Sequence, residues 1–140
     1  MIRSCLIFFI TMQILFCRIN DYGEKQITIM LNNYFKTDDS ISILLGHHFY
    51  KKQEDMIFQI EIQTKIDKIN NAMIDAFLVI NKLSNISKIK FTQSIVIIHF
   101  EKNFLPVIAK SNLDCSKNYF INNSHTEAQW RKNCLSIQNK

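Results

Sequence analysis

Two alternating apolar patterns on either side of a charged turn constrain the fold most. In the first pattern Ile41, Ile43 and Leu45 occupy every second position, and Ser40 and Ser42 lie on the opposite face. In the second pattern, residues 58–62 alternate Phe, Ile and Ile with Gln and Glu. This period-two spacing predicts two strands of a sheet that is covered on one face, with the apolar positions turned inward. The polar segment 51–55 predicts the turn of a hairpin.

A long amphipathic helix is predicted next, over residues 65–83. Apolar residues recur there at helical spacing: Ile66, Ile69, Met73, Phe77 and Ile80. Ala72 and Ala76 allow this helix to approach a sheet closely, and Thr64 with Asp67 three residues later is a plausible N-terminal cap. Further along, segment 89–98 is rich in β-branched residues, so from its pattern alone a strand is at least as likely as a change into a helix.

Composition predicts one folded domain without an active site. The chain has 140 residues, 47% of them hydrophobic, which is enough to bury a core. The net charge of +5 comes from scattered Lys and Arg, which is not typical of nucleic-acid binding. Two glycines cannot build a phosphate loop, and the adjacent His47 and His48 would point to opposite faces of a strand. We therefore expect no catalytic residues, metal ligands, cofactor or small-molecule substrate.

A set of spaced residues carries a resemblance to a known family. The set comprises Thr37, Asp38, Ile41, Leu44, Gly46, Tyr50, Lys51, Asp55, Met56 and Phe58, with Glu101 further on. It resembles the small longin-like subunits of vesicle coats, and within them the zeta-type subunits of coatomer. The similarity covers residues 1–112.

The resemblance implies an α+β fold of the longin-like type, with a five-stranded antiparallel sheet and helices packed on it. Residues 1–112 would form this domain, beginning with a hairpin of strands 5–10 and 14–19. The segment 95–105 would continue as a helix until Pro106 stops it. Residues 113–140 would be a divergent extension, helical near 126–137.

The function implied is that of a non-catalytic subunit of the COPI coat. Such a subunit binds a large helical-solenoid chain, coatomer gamma, and reaches Golgi membranes through a coat that an Arf-type GTPase recruits. It would support Golgi-to-ER retrograde and intra-Golgi transport. The expected location is cytoplasmic, peripheral on Golgi membranes and coated vesicles.

The sigma subunits of clathrin adaptors, in the same family, are an alternative. Their pocket for dileucine sorting signals would correspond here to Met56, Asn85, Ile86, Ile89 and Phe91. The position of the basic residue in that pocket corresponds to a site near Leu15 in this chain. Glu54 stands where the pocket has a small residue. Both differences weigh against recognition of an acidic dileucine signal.

A third alternative is a secreted or membrane-anchored small protein. Arg3 followed by the apolar run 6–17 has the length of a signal-peptide core, although no usual cleavage site follows. In that compartment Cys115 and Cys134 could form a disulfide. Asn85 and Asn122 would then begin N-glycosylation sequons.

Overall fold

The computed structural model describes residues 21–37 and 40–139. The predicted opening hairpin, the alternative signal segment and Asp38 lie outside these ranges. The elements in chain order are α1 (Glu24–Phe35), β1 (Ile43–Lys52), β2 (Asp55–Thr64), α2 (Ile69–Ile86), β3 (Gln93–Phe100), β4 (Val107–Asn112), α3 (Leu113–Phe120), α4 (Glu127–Asn133) and β5 (Leu135–Asn139).

The predicted hairpin is confirmed. Strands β1 and β2 pair antiparallel, and the last ladder pair, Lys52 with Asp55, leaves Gln53 and Glu54 as a two-residue turn. Gln53 has a φ of 55°, the left-handed conformation that such tight turns require. The charged composition of the turn fits its exposure to solvent.

The fold is α+β, with a five-stranded sheet in the order β1-β2-β3-β4-β5. The expectation of an entirely antiparallel sheet is wrong, because β2 and β3 pair in parallel. Parallel neighbours need a long crossover connection, and the 18-residue helix α2 provides it. The remaining neighbours pair antiparallel, so the sheet is mixed.

The core lies between one face of the sheet and the helices. Phe58, Ile60 and Ile62 of β2 are fully buried, as their alternation predicted. Helix α2 covers this face with its predicted stripe, in which Phe77 and Ile80 are also fully buried. Ile66 is the exception in that stripe, because it belongs to a 3-10 turn before α2 and remains 52% exposed.

Two further predictions are wrong. The segment 95–105 is not a helix, because β3 extends to Phe100 and a loop leads to Pro106. Its β-branched residues instead alternate between the core and the opposite face of the sheet. Thr64 does not cap α2, since its buried hydroxyl donates a hydrogen bond to the Ile41 carbonyl at 3.0 Å.

The prediction that Ile41, Ile43 and Leu45 face the core is also wrong. Ile43 and Leu45 are 64% and 52% exposed, whereas Ser42 is 2% exposed. The ladder shifts register between Leu44 and Gly46, so that Leu45 is the extra residue of a β-bulge. Downstream of the bulge, His47 pairs with buried Ile60. The inward positions of β1 are consequently not the ones that simple alternation indicates.

Residues 113–139 pack on the same core. Trp130 of α4 is fully buried, and its indole Nε1 donates a hydrogen bond to Ser116 Oγ at 2.9 Å. The helix expected near 126–137 ends at Asn133, and β5 follows along β4. The capping box of Thr126 and Gln129 fixes where α4 begins.

Candidate functional site

Exposed apolar residues gather at one end of the sheet. They come from the start of β1, the β2-to-α2 connection and the β3-to-β4 loop, and comprise Ile41, Ile43, Leu45, Ile66, Phe104 and Leu105. We call these six residues the end cluster. The strand register brings the three segments together, because Ile43 pairs with Gln63 and Thr64 pairs with Phe100.

Two neighbouring grooves lie within this surface. The first, of about 350 Å³, has Ile66, Phe100 and Phe104 as its apolar lining. The second, of about 380 Å³, is lined by Ile41 and Ile43 together with polar groups. Lys65 and Glu101 line both grooves, so the two form one continuous concave surface.

Ser42 also lines the second groove, although its hydroxyl is buried. Ser42 Oγ has no hydrogen-bond partner among the described residues, although the side chain is almost fully buried. The backbone beside it is held in place, since Ser40 Oγ donates to the Ser42 carbonyl and Thr64 Oγ1 donates to that of Ile41. A buried polar group without a partner is costly, and this hydroxyl is closed to solvent as well.

Charged side chains surround both grooves. Lys65, Lys68 and Lys102 contribute three positive charges, against two carboxylates from Asp67 and Glu101. All five residues are exposed. The surface can therefore offer an apolar floor with a slightly basic rim to a ligand.

The bulge at Leu45 limits how this edge of the sheet can be used. Among the described strands, β1 lies at an edge of the sheet, and a regular edge invites another strand to pair with it. A bulge interrupts the ladder and increases the local twist, which opposes such pairing. The geometry favours contact through the side chains of the end cluster over addition of a strand.

The family-motif positions are dispersed over the fold. Ile41 and Glu101 line the second groove, and the exposed Thr37 follows α1. Leu44 packs against the core, and Phe58 is fully buried within it. Leu44 and Phe58 therefore serve packing, whereas Ile41 and Glu101 line a groove at the end cluster.

The other motif residues lie along the hairpin. Gly46 is opposite Glu61, with open space where a side chain would be. Tyr50 donates a hydrogen bond to Gln59 at 2.9 Å, and Lys51 is exposed near the turn. Asp55 accepts a hydrogen bond from Thr92 at 2.9 Å, which joins β2 to the segment before β3.

The residues of the alternative dileucine pocket are mostly used in packing. Phe91 is 8% exposed, and its ring lies 4.9 Å from that of Phe58. Met56, Ile86 and Ile89 pack against the core cluster. Asn85 is exposed near the end of α2.

A third concave region lies beside His47 and His48. Glu24, Phe49, Tyr50 and Gln59 complete its lining. Burial lowers the pKa of His47, the neighbouring His48 lowers it further, and Glu24 opposes the shift. Thr28 Oγ1 lies 3.2 Å from His47 Nε2, so the imidazole has a neutral hydrogen-bond partner.

Among the described residues no group of three or more His, Cys, Asp or Glu could hold a metal ion.

A disulfide joins Cys115 in α3 to Cys134 at the end of α4, with the Cα atoms 5.6 Å apart. Sequence reasoning left this bond open, as part of one alternative.

Sequence reasoning missed Ile66, Phe104 and Leu105 as surface residues. The available signal was the large apolar pair Phe104-Leu105 between charged residues and Pro106, a composition typical of an exposed loop.

Comparison with known proteins identifies no relative: no family model, curated protein or solved structure matches the chain. The resemblance to coat subunits therefore stays a prediction based on the residues named above. In the part of the chain that the structure describes, no helix is both long enough and apolar enough to cross a membrane.

Proposed function

We propose that the chain is a non-catalytic binding domain that holds a partner protein on the end cluster. One observation carries the proposal: of the eight large hydrophobic residues that the described chain leaves exposed, four line the two adjoining grooves, namely Ile41, Ile43, Ile66 and Phe104. Single exposed apolar residues are ordinary on protein surfaces, whereas grouped ones with a polar rim are typical of interaction sites.

The chemistry of the two grooves indicates what kind of segment the partner presents. Apolar side chains fit against Ile66 and Phe104 in one groove and against Ile43 in the other. The slightly basic rim and the net charge of +5 favour acidic residues beside them. We infer an apolar segment with acidic flanks.

The disulfide supports an oxidising compartment for this binding domain. Thiols of cytosolic proteins generally stay reduced, and disulfides persist in the secretory pathway and outside the cell. The apolar run 6–17 after Arg3 supports the same location, because its length is typical of a signal-peptide core. We therefore propose a disulfide-bonded domain of the secretory pathway.

The coat-subunit hypothesis is the second candidate. It is favoured by the position of Ile41 and Glu101, two family-motif residues that line the same groove of the end cluster. The partner would then be a large helical-solenoid subunit such as coatomer gamma. Two features weigh against this candidate: the parallel pairing of β2 with β3, and the strand where the family resemblance implies a helix.

Site-specific photo-crosslinking in cells tests the proposal. A photoreactive amino acid replaces Phe104 in the end cluster, and the matched control carries it at Ile29, which is similarly exposed but lies on α1. We expect a discrete crosslinked partner from position 104 alone. Its yield should fall strongly with Ile43→Asp and remain unchanged with Ile29→Asp.

The identity of the crosslinked protein separates the two candidates. A partner from the secretory pathway supports the first, and a coat solenoid subunit supports the second. Equal crosslinking from positions 104 and 29, or a yield that Ile43→Asp leaves unchanged, would contradict docking on the end cluster.

A further inference from the structure

Helices α3 and α4 form a hairpin with a closed base. Helix α3 begins where β4 ends, and α4 leads into β5, whose Leu135 pairs with Ser111 of β4. The base of the hairpin therefore lies at one end of these strands, where the Cys115–Cys134 bond closes it. The connection 121–126 consequently forms the tip.

The tip is ordered by its backbone and leaves polar side chains in solvent. The amide of Asn122 donates to the Lys117 carbonyl at 2.8 Å, and that of Ser124 donates to the Asn118 carbonyl at 2.7 Å. Asn123 adopts a φ of 53°, which reverses the chain after α3. Asn122 and Ser124 are both exposed.

We propose that Asn122 is a site of N-linked glycosylation. Asn122-Asn123-Ser124 has the order of side chains that the modification requires, namely Asn, any residue except Pro, then Ser or Thr. This inference rests on the proposed secretory location. The tip can carry a bulky polar glycan without displacing any core residue, and a glycan there would be held away from the disulfide at the base.

The transfer needs a lipid-linked oligosaccharide pyrophosphate as donor. The side-chain nitrogen of Asn122 attacks the anomeric carbon of the first sugar, and the nitrogen–carbon bond forms as the carbon–oxygen bond to the pyrophosphate breaks. The amide loses one proton to a base of the transferase, and the lipid pyrophosphate leaves. No oxidation or reduction takes place.

The second sequon differs from the first in the folded domain. Asn85 is exposed, but the hydroxyl-bearing Ser87 is 1% exposed. Its Oγ accepts a hydrogen bond from the Ile89 amide at 3.1 Å. Ser124 Oγ also makes a hydrogen bond, donating to the Asn118 carbonyl at 3.1 Å, but Asn122 and Ser124 are both exposed, which is why the proposal names Asn122.

The test expresses the full chain through the secretory pathway of eukaryotic cells and measures its intact mass before and after peptide-N-glycosidase treatment. We expect a loss of mass equal to one glycan that is assigned to Asn122. Asn122→Gln and Ser124→Ala should each abolish that glycan. The control Asn123→Gly keeps both the sequon and a residue that tolerates the left-handed turn, so its glycan should remain.

Three results bear on the inference differently. A secreted protein with a closed Cys115–Cys134 bond and no glycan at Asn122 overturns the inference and leaves the proposed location intact. A glycan that persists in both Asn122→Gln and Ser124→Ala also overturns it. A chain that is retained in the cytosol with free thiols contradicts the proposed location, and the inference fails with it.

Discussion

Cys115 and Cys134, separated by 19 positions in the sequence, are joined by a disulfide that ties helix α3 to the end of helix α4, directly before β5 begins. Ser111 of β4 donates a hydrogen bond to the Cys134 carbonyl at 3.0 Å. The disulfide and this hydrogen bond therefore lie together at the junction between the hairpin and the sheet. This connects the redox environment of the chain to the stability of its core.

Opening the disulfide should destabilise the folded chain. A loop of this length restricts the unfolded state by about 3 kcal/mol. The Cys115→Ser/Cys134→Ser double variant should lose about that much free energy of unfolding in urea titrations. Reductant should have the same effect on the wild type and none on the double variant. An unchanged unfolding midpoint in both experiments would contradict this role.

Phe77→Ala should be strongly destabilising, because the ring is fully buried and packs edge-on against Trp130 with the ring centroids 5.5 Å apart. Loss of a buried Phe side chain costs about 3–5 kcal/mol. Ile66→Ala is the matched control, since this exposed residue should change the free energy of unfolding little. Thermal denaturation followed by circular dichroism measures both. If Phe77→Ala kept the wild-type midpoint, the proposed packing of α2 on the sheet would be wrong.

Ser116→Ala should also destabilise the domain, because it leaves the buried indole N–H of Trp130 without an acceptor. An unsatisfied buried donor costs about 1–3 kcal/mol. The same substitution in a Trp130→Phe background should cost clearly less, as this background lacks the donor. Chemical denaturation of the four proteins gives the coupling. Equal costs in both backgrounds would exclude a stabilising hydrogen bond.

Several elements could be predicted from sequence because each depends on local periodicity. The alternation from Phe58 to Ile62 indicated the buried face of β2, and the helical spacing around Phe77 indicated α2. The parallel pairing of β2 with β3 was not predictable in this way, because side-chain alternation is the same in parallel and antiparallel strands.

The candidate site was harder to predict than the fold. A β-bulge at Leu45 changes which side chains of β1 face the core, and alternation alone does not reveal an extra residue. The end cluster also combines three segments that are distant in sequence, so the strand register decides its composition. Trp130 lies in the segment predicted as a divergent extension, and its burial depends on tertiary packing that local periodicity does not indicate.

Stability should decrease as the pH falls below the usual pKa of histidine, in part because of His47. Burial lowers the pKa of His47 in the folded chain, so near and below pH ~6.5 the unfolded state binds the proton more readily. The contribution of His47 is complete above that pH and is lost as the pH falls through the lowered folded pKa. His47→Gln should flatten this dependence, and His48→Gln, on the exposed neighbour, should alter it less.

Unfolding midpoints of the three proteins between neutral and mildly acidic pH provide the measurement. Other groups titrate in the same range, so the difference between the variants carries the test. A wild-type curve that runs parallel to that of His47→Gln would mean that the imidazole does not couple folding to pH.

The oxidation state of Cys115 and Cys134 in protein isolated from its native cells tests the central claim most directly, namely that this is a disulfide-bonded binding domain and not a cytosolic coat subunit. Free thiols are blocked by alkylation during lysis, and peptides are mapped before and after reduction. The account predicts that both cysteines are unlabelled before reduction and that their peptides are joined. Complete labelling of both cysteines without reduction would contradict it.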